Sequence, residues 1–394
     1  MPFDLKLDIE NVEEGADLNL SNIVLPHHQR MASVYGTVQD PLSFQTFLSL
    51  FTSLPSLRRI GLTSRMTDAE LVREEPLLLP MLSSLALYGR LTCGENFLFL
   101  CPATSSVTSM FNNSGHILRL LRACPSAAKW VLQIGSRQAV AADEDMDEVH
   151  NLLSAAQIQS LEIGRAYRVD VEPCLKMFAP AMIARFDIAC ANTEGIYGSD
   201  LERHLLQNNE QATFSHLECV LFYENRDQAK ISLESNGGSR RRSVTLIVGE
   251  DDDGAFRACL RLVARVLATG PVTSARITSS FWPSIFQQST DQYEILATSI
   301  IVEFDGDDVD DWMSLCAAAE PTRFVRLEHL TLRAASGKPS LKASDPFVVN
   351  FSRVFGVDRM LHKLVIEGIS LTGDVDCLVG KVAVEVELAT SAQS

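Results

Sequence analysis

A short phrase of apolar residues returns along the chain and limits the folds that the sequence can adopt. It consists of an apolar residue, two variable residues, a second apolar residue, one variable residue and a third apolar residue. The last two apolar positions point to the same face of a β-strand and therefore into the core. The copies are Leu57, Ile60 and Leu62; Leu82, Leu85 and Leu87; Ile158, Leu161 and Ile163; Ile183, Phe186 and Ile188; Leu217, Val220 and Phe222; Leu327, Leu330 and Leu332; Leu361, Leu364 and Ile366; and, in weaker form, Ala127, Trp130 and Leu132.

The spacing of the copies predicts a leucine-rich repeat, whose period is roughly 20–29 residues. From Ile60 to Leu85 there are 25 residues, and the gap of 45 between Leu85 and Trp130 predicts a degenerate copy between Val107 and Met110. Apolar residues at helical spacing lie between copies. These helical runs cover residues 47–51, 117–121, 256–267 and 312–319.

Alternating strands and helices predict an α/β fold: one irregular leucine-rich-repeat solenoid over residues 1–394, with a curved parallel sheet and helices on its outer face. Residues 244–302 are its least regular part, where strands at 244–248 and 299–302 flank a helix beginning near Asp253. A small inserted subdomain is the alternative there. In the consensus repeat, an Asn three residues past the last Leu hydrogen-bonds the backbone of neighbouring repeats, and these residues form a ladder. In this sequence only Asn225 fits that position, so the repeats are expected to rely on packing.

Composition excludes several classes of partner and compartment. A net charge of −16 repels nucleic acid and anionic membranes. The nine cysteines are scattered, without a Cys-x-x-Cys pair, and are predicted to be reduced core residues. The opening residues lack the pattern of a signal peptide, and no apolar run reaches the roughly 18 residues of a membrane span. We therefore expect a cytoplasmic protein, with the nucleus as the alternative compartment.

The sequence lacks the common catalytic and cofactor motifs. It has no Gly-x-Gly-x-x-Gly, no P-loop, no Gly-x-Ser-x-Gly and no His or Cys spacing for a metal. The acidic runs 250–254 and 305–311 do not have EF-hand spacing and precede apolar helical segments, where carboxylates cap helices. We therefore predict no catalytic, cofactor or metal site. An enzyme would require a polar pocket of converging side chains.

One basic cluster, residues 239–243, follows Asn236 and two glycines and is predicted to lie in an exposed loop. Its simplest interpretation is a solvated hairpin or repeat insertion. The alternatives are a basophilic kinase site at Ser243 and a weak nuclear signal.

The repeated phrases, from Leu57 to Ile366, resemble the irregular leucine-rich-repeat region of F-box-like proteins, which are numerous in mushroom-forming fungi. In that family, an N-terminal F-box bundle docks on the adaptor of a cullin-type ubiquitin ligase, and the repeats capture the substrate. No such bundle precedes residues 3–9, which resemble the strand that follows the F-box. The resemblance therefore implies a substrate-recognition module. A stand-alone cytosolic interaction scaffold without a ligase is the alternative.

The resemblance also implies that a protein partner binds to outward strand positions on the concave face, with the ligase adaptor as a second partner if an F-box lies upstream. Arginine and tyrosine are enriched at binding hot spots. The predicted partner-binding residues are Arg59, Tyr88, Arg185, Tyr223 and Arg333.

Overall fold

The chain divides into two compact units, Met1–Ala189 (unit 1) and Cys190–Ser394 (unit 2). The prediction of a single solenoid over residues 1–394 stays a prediction. The structure is a computed structural model, and it describes residues 3–9, 25–38, 53–71, 77–93, 99–111, 114–134, 146–166, 178, 183–190, 214–222, 225–247, 260, 263–268, 272–286, 294–306, 308–318, 323–336, 339–356 and 359–389.

Unit 1 contains a parallel sheet. Its strands are β1 (Phe3–Ile9), β2 (Met31–Val38), β3 (Arg59–Leu71), β4 (Leu77–Leu78), β5 (Ser84–Cys93), β6 (Phe99–Leu100), β7 (Ser106–Phe111), β8 (Lys129–Ile134), β9 (Ser160–Ala166) and β10 (Arg185–Cys190). The order is β1-β2-β3-β5-β7-β8-β9-β10, every pair from β1 to β9 is parallel, and β4 pairs with β6. Helices α1 (Ser114–Ala123) and α2 (Met146–Ala155) pack on each other.

Unit 2 contains a mixed sheet. Its strands are β11 (Phe214–Phe222), β12 (Asn225–Ser235), β13 (Arg241–Ile247), β14 (Ser274–Thr278), β15 (Glu294–Ile295), β16 (Ser299–Asp305), β17 (Arg323–Phe324), β18 (His329–Ser336), β19 (Ser340–Ala343), β20 (Leu361–Glu367), β21 (Ser370–Gly373) and β22 (Ala383–Ala389). The order is β13-β12-β11-β14-β16-β18-β20-β22, and only the β13-β12-β11 part of this described sheet is antiparallel. Its helices include α3 (Trp282–Phe286), α4 (Val309–Ala317) and α5 (Asp345–Phe355), and residues 263–268 are also helical.

The repeated phrase sets the register of the unit 1 strands, as predicted. Its central residues lie opposite one another from strand to strand and are all buried, because each strand turns the same face to the core. The degenerate copy predicted near Val107 is β7, and Val34 of β2 adds a further copy. The aligned residues are Val34, Ile60, Leu85, Val107, Trp130 and Leu161.

In unit 2, the copy predicted at Leu217, Val220 and Phe222 is wrong in register. Among residues 214–220 of β11, Phe214, Leu217 and Cys219 are buried, whereas Val220 is half-buried. Leu217, and not Val220, lies opposite the buried Ala275 of β14. The other predicted copies are buried as expected. Two copies with alanine were not recognised as the repeated phrase: Val272, Ala275 and Ile277; and Ala297, Ile300 and Val302. The second of them lies on the strand predicted at 299–302, which is β16.

Main-chain hydrogen bonds link the starts of neighbouring strands and take the place of the missing Asn ladder. The N–H groups of Ser83 and Ser84 both donate to the carbonyl oxygen of Arg58, at 2.8 and 3.1 Å. The same two-to-one arrangement returns at the carbonyl groups of Ser83, Ser105, Ala128, Thr273, Thr298 and Glu328. Packing is therefore not the only link between repeats.

The predicted helical runs are confirmed where the described residues test them, whereas α2, α3 and α5 were not predicted. Residues 117–121 lie in α1, residues 263–268 are helical, and residues 312–317 end α4. Asp308 is the N-cap of α4 and accepts a hydrogen bond from the Asp310 N–H at 3.0 Å, which confirms the capping role predicted for the second acidic run. Residues 47–51 and the acidic run at 250–254 lie outside the described residues.

The basic cluster is part of a β-hairpin, as its simplest interpretation had it, but the prediction of an exposed loop is wrong for Arg242 and Ser243. Residues 236–239 form the turn between β12 and β13, but Arg241 already begins β13. The side chains of Arg242 and Ser243 are 0% and 1% exposed. A kinase would have no access to Ser243 in the folded chain, so the alternative of a phosphorylation site there is contradicted.

Cys101, Cys124, Cys219 and Cys316 are buried, as predicted, whereas Cys377 is only half-buried. Burial raises the pKa of the Cys316 thiol to about 12. Among the helices that the structure describes, none is long and apolar enough to cross a membrane.

Candidate functional site

The outward face of the unit 1 sheet carries three of the five predicted partner-binding residues. Arg59, Tyr88 and Arg185 lie on β3, β5 and β10, and all three side chains are exposed. Tyr223 lies outside the described residues. Arg333 lies on β18 of unit 2, and its side chain is half-buried.

Two of these residues, Arg59 and Tyr88, line one shallow cavity of 400 Å³ on the unit 1 face. Tyr35 of β2 lines it as well, and sequence reasoning missed this residue. The β2 phrase Met31, Val34, Gly36 ends in glycine, so it fell outside the apolar pattern. The full lining is Tyr35, Gly36, Thr37, Arg59, Ile60, Gly61, Thr63, Ser84, Ala86 and Tyr88.

Small residues form the floor of this cavity and allow a tyrosine to lie across it. Tyr35, Gly61 and Ala86 occupy equivalent positions on β2, β3 and β5. A Cβ atom on Gly61 would lie only 2.7 Å from Cδ1 of Tyr35, so the ring rests directly on the glycine backbone. Tyr88 lies opposite Thr63 and is 42% exposed, against 39% for Tyr35. The cavity therefore has two aromatic walls that contact solvent.

Arg59 is held in a defined orientation at the edge of this cavity. Its Nε–H donates a hydrogen bond to Oγ of Ser33 at 3.3 Å, and Ser33 itself is fully buried. The guanidinium carbon lies 5.8 Å from the centroid of the Tyr35 ring, within the range of a cation–π interaction. Arg59 is the one cation, and none of the side chains is acidic, among the described residues that line the cavity. The arrangement offers hydrogen-bond donors and flat apolar surface.

The other basic residues of this face stand apart from the cavity. Lys129 of β8 is equivalent to Arg59 in the register, through Ser84 and Ser106. Arg185 is the first residue of β10, and its main-chain N–H donates a hydrogen bond to the carbonyl oxygen of Gln159 at 2.8 Å. Both side chains are exposed, so they are independent positive charges along the same row of strand starts.

Arg333 has a different environment, because the carboxylates of unit 2 bind it. Its Nε lies 2.7 Å from Oε2 of Glu367, and its Nη1 lies 3.7 Å from Oε1 of Glu303. Glu303 is 1% exposed and also contacts Nη2 of Arg276 at 2.9 Å. The guanidinium group that was predicted to bind a partner therefore forms part of an ion-pair network across β14, β16, β18 and β20.

The network continues to Glu218 on β11. Nη1 of Arg276 lies 3.4 Å from Oε1 of Glu218, and the Ser232 hydroxyl donates to its Oε2 at 3.1 Å. His216, whose Nε2 lies 3.8 Å from Oε1, is the largest of the influences that lower the pKa of Glu218 to about 2, followed by Ser232 and Arg276. This carboxylate is ionised at every physiological pH.

Comparison with known proteins adds no family assignment: no family model matches the sequence, and no curated protein is significantly similar to it. Within the described part of the chain, no three His, Cys, Asp or Glu side chains are grouped as metal ligands.

Proposed function

We propose that the chain is a protein-binding module of the irregular leucine-rich-repeat type, and that its partner binds to the outward face of the unit 1 sheet. The observation that carries this proposal is the cavity between Tyr35 and Tyr88, with Arg59 at its edge. Tyrosine and arginine combine a large contact area with directional hydrogen bonds, which is why they dominate binding hot spots. The unit 2 face is a weaker candidate, since its arginines bind the carboxylates of the same unit.

We also propose that this module is the substrate-recognition part of an F-box-type ubiquitin ligase. The support is the resemblance of the repeated phrases to F-box-like proteins. A stand-alone interaction scaffold would use the same face and would differ only in the absence of ligase components from the complex.

The test is affinity purification from the native cells, with the tagged protein expressed from its own gene so that any upstream residues are included. Three forms are compared: the wild type, a face variant with Tyr35→Ala, Arg59→Gln and Tyr88→Ala, and a control variant with Met81→Ala and Leu100→Ala. The control removes side chains of similar exposure, 52% and 42%, that do not line the cavity. Matching thermal transitions establish that all three forms are folded.

We expect specific partners to bind to the wild type and the control, and to fall at least roughly tenfold in the face variant, since each hot-spot residue contributes about 1–2 kcal/mol or more. Cullin and its adaptor among the retained proteins would support the ligase assignment. Specific partners without ligase components would support the scaffold. Equal recovery with all three forms would refute the assignment of the partner site to this face.

A further inference from the structure

We propose that the edge of strand β22 (Ala383–Ala389) that faces away from β20 binds an extended segment of a partner protein, in which lysine or arginine alternates with apolar residues. The segment would add a strand to the unit 2 sheet, a common mode of peptide recognition. This surface lies in unit 2, so the inference goes beyond the function proposed for the unit 1 face.

The strand edge is the first argument. One edge of β22 pairs with β20, and no other described strand pairs with the opposite edge. The main-chain N–H of Leu361 in β20 donates to the carbonyl oxygen of Val382 at 2.9 Å. Because successive residues of a strand turn their main-chain groups to opposite sides, the even-numbered residues of 384–388 also face β20. The N–H and C=O groups of Glu385 and Glu387 therefore face the other edge, where an added strand can pair with them.

The apolar side chains of β22 are the second argument. Val386 and Leu388 lie opposite Leu364 and Ile366, which are buried core residues of β20. In contrast to these core residues, Leu388 is 56% exposed, and Val384 on the same side of β22 is 60% exposed. The apolar row of the unit 2 core therefore continues onto side chains that are poorly covered. Apolar residues of an added strand would lie beside them and remove part of this surface from water.

The glutamates of β22 are the third argument, because they select the charge of the segment. The side chains of Glu385 and Glu387 are about half-exposed, and both contact the same cation, Nζ of Lys363. Two carboxylates thus share one ammonium group, and the chain as a whole carries a formal charge of −16. Opposite charges on neighbouring strands stabilise their pairing, whereas like charges destabilise it. Lysine or arginine on the same side of the added strand is therefore favoured.

The same glutamates disfavour a second copy of this chain as the occupant. If two copies of β22 paired antiparallel about Val386, Glu385 of one copy would lie opposite Glu387 of the other. Charged residues on edge strands commonly prevent such pairing between identical chains. A basic segment does not meet this repulsion, so the edge can reject a second copy and still accept a partner.

The test is fluorescence polarisation with the full chain and labelled, capped heptapeptides in about 0.15 M salt. The basic peptide is Ser-Val-Lys-Val-Lys-Val-Ser, and the acidic peptide has glutamate in place of both lysines. A third peptide is the basic one with N-methyl groups on its lysines and valines, which keeps the charge but removes the main-chain donors. We expect the basic peptide to bind at least roughly tenfold more tightly than either of the others.

Two double variants locate the site. Glu385→Gln with Glu387→Gln should bind the basic and acidic peptides within about twofold of each other. Glu162→Gln with Glu328→Gln removes the same charge at exposed glutamates outside β22, and this matched control should keep the preference for the basic peptide. Matching thermal transitions establish that both variants are folded.

Several outcomes would overturn the inference: no binding of the basic peptide, equal binding of the basic and acidic peptides, retained binding of the N-methylated peptide, or loss of the preference in the control variant. A dimer in analytical ultracentrifugation that Leu388→Lys dissociates would identify a second copy as the occupant and overturn it as well. The function proposed for the unit 1 face is tested by its own variants and does not depend on these results.

Discussion

The outward sheet faces of the two units are built on similar parallel strands but use their charged residues in opposite ways. On unit 1, Arg59, Lys129 and Arg185 are exposed at strand starts, and small or hydroxyl side chains lie around Arg59. On unit 2, Arg276 and Arg333 alternate with Glu218, Glu303 and Glu367 in direct contact. Exposed strand positions alone therefore do not define a binding face, because the charged residues of one face can form ion pairs with one another.

The largest change in stability is expected when the buried carboxylate of unit 2 is removed. Glu303→Ala leaves Arg276 and Arg333 without the group that bridges them. Breaking a buried ion pair costs about 3–5 kcal/mol, and because both arginines are a third exposed we expect about 3 kcal/mol. The free energy of unfolding from urea titration measures this cost. Glu162→Ala, on an exposed position of the unit 1 face, is the control and should change it by less than about 0.5 kcal/mol. Equal effects would show that the unit 2 network is not integral to the fold.

Acidification is expected to lower the stability of unit 1 through a histidine in helix α1, and not through the residues of its outward sheet face. His116 in α1 is buried, and this burial, with the nearby Arg119, lowers its pKa from 6.5 to about 3. Below pH 6.5 the unfolded chain gains a proton that the folded chain does not bind, so stability is lost as the pH falls towards 3. At pH 5 this loss is about 2 kcal/mol relative to pH 7.

Urea titrations at pH 7 and pH 5 check this expectation. His116→Leu should remove most of the loss between the two pH values, whereas His27→Gln, at an exposed histidine, should retain it. An unchanged pH dependence in His116→Leu would show that His116 is not responsible.

Unit 2 is expected to lose stability in a lower pH range than unit 1. The folded pKa of Glu218 is about 2, against an ordinary value of 4.5. Its ionised form therefore stabilises the fold fully above pH 4.5, and this contribution is lost as the pH falls through about 2. Because the side chain is partly exposed, Glu218→Gln should cost about 1–2 kcal/mol at pH 7. The cost should shrink below pH 4, as measured by thermal unfolding, and a cost that does not vary with pH would point to packing instead of charge.

The smallest effect on stability is expected at the floor of the unit 1 cavity. Gly61→Ala places a methyl group against the Tyr35 ring, which is exposed enough to swing away. We expect a change in unfolding free energy below about 1 kcal/mol. Partner binding should nevertheless fall several-fold, because the ring no longer forms a wall of the cavity. Gly164→Ala, on β9 and outside the cavity lining, is the control and should leave binding unchanged. Unchanged binding in Gly61→Ala would show that the Tyr35 position is irrelevant.

The sequence predicted strands β3, β5, β7, β8, β9 and β10 of unit 1, because apolar residues such as Ile60, Leu85 and Trp130 mark their core positions, but it did not predict β2. The prediction failed where small residues occupy the core positions. Ala275 is buried in β14 although alanine carries little apolar signal, and in β11 the buried residue is Cys219 whereas the copy was predicted to centre on Val220, which is half-buried. The strand predicted at 244–248 is β13, but it already begins at Arg241 in the basic cluster, which was predicted to be a loop, and the antiparallel strand β12 was not predicted.

Only part of the candidate site could be predicted. The alternation rule identified Arg59 and Tyr88 as outward residues, since one periodicity decides both core and surface. Tyr35 escaped because its phrase ends in Gly36, and the partners of Arg333 escaped because they come from strands 30 or more residues away, such as Glu303 and Glu367. Contacts across strands depend on register, which a single phrase does not reveal.

The two-to-one hydrogen bonds at the strand starts, such as those at Arg58 and Ser105, use only main-chain atoms. Every amino acid except proline can donate them, so the outward side chains can change while these main-chain hydrogen bonds are kept. Gene duplication followed by drift could thus produce sister chains with one scaffold and many specificities. For the same reason the unit 1 face is a suitable starting point for a randomised library from which new binders are selected.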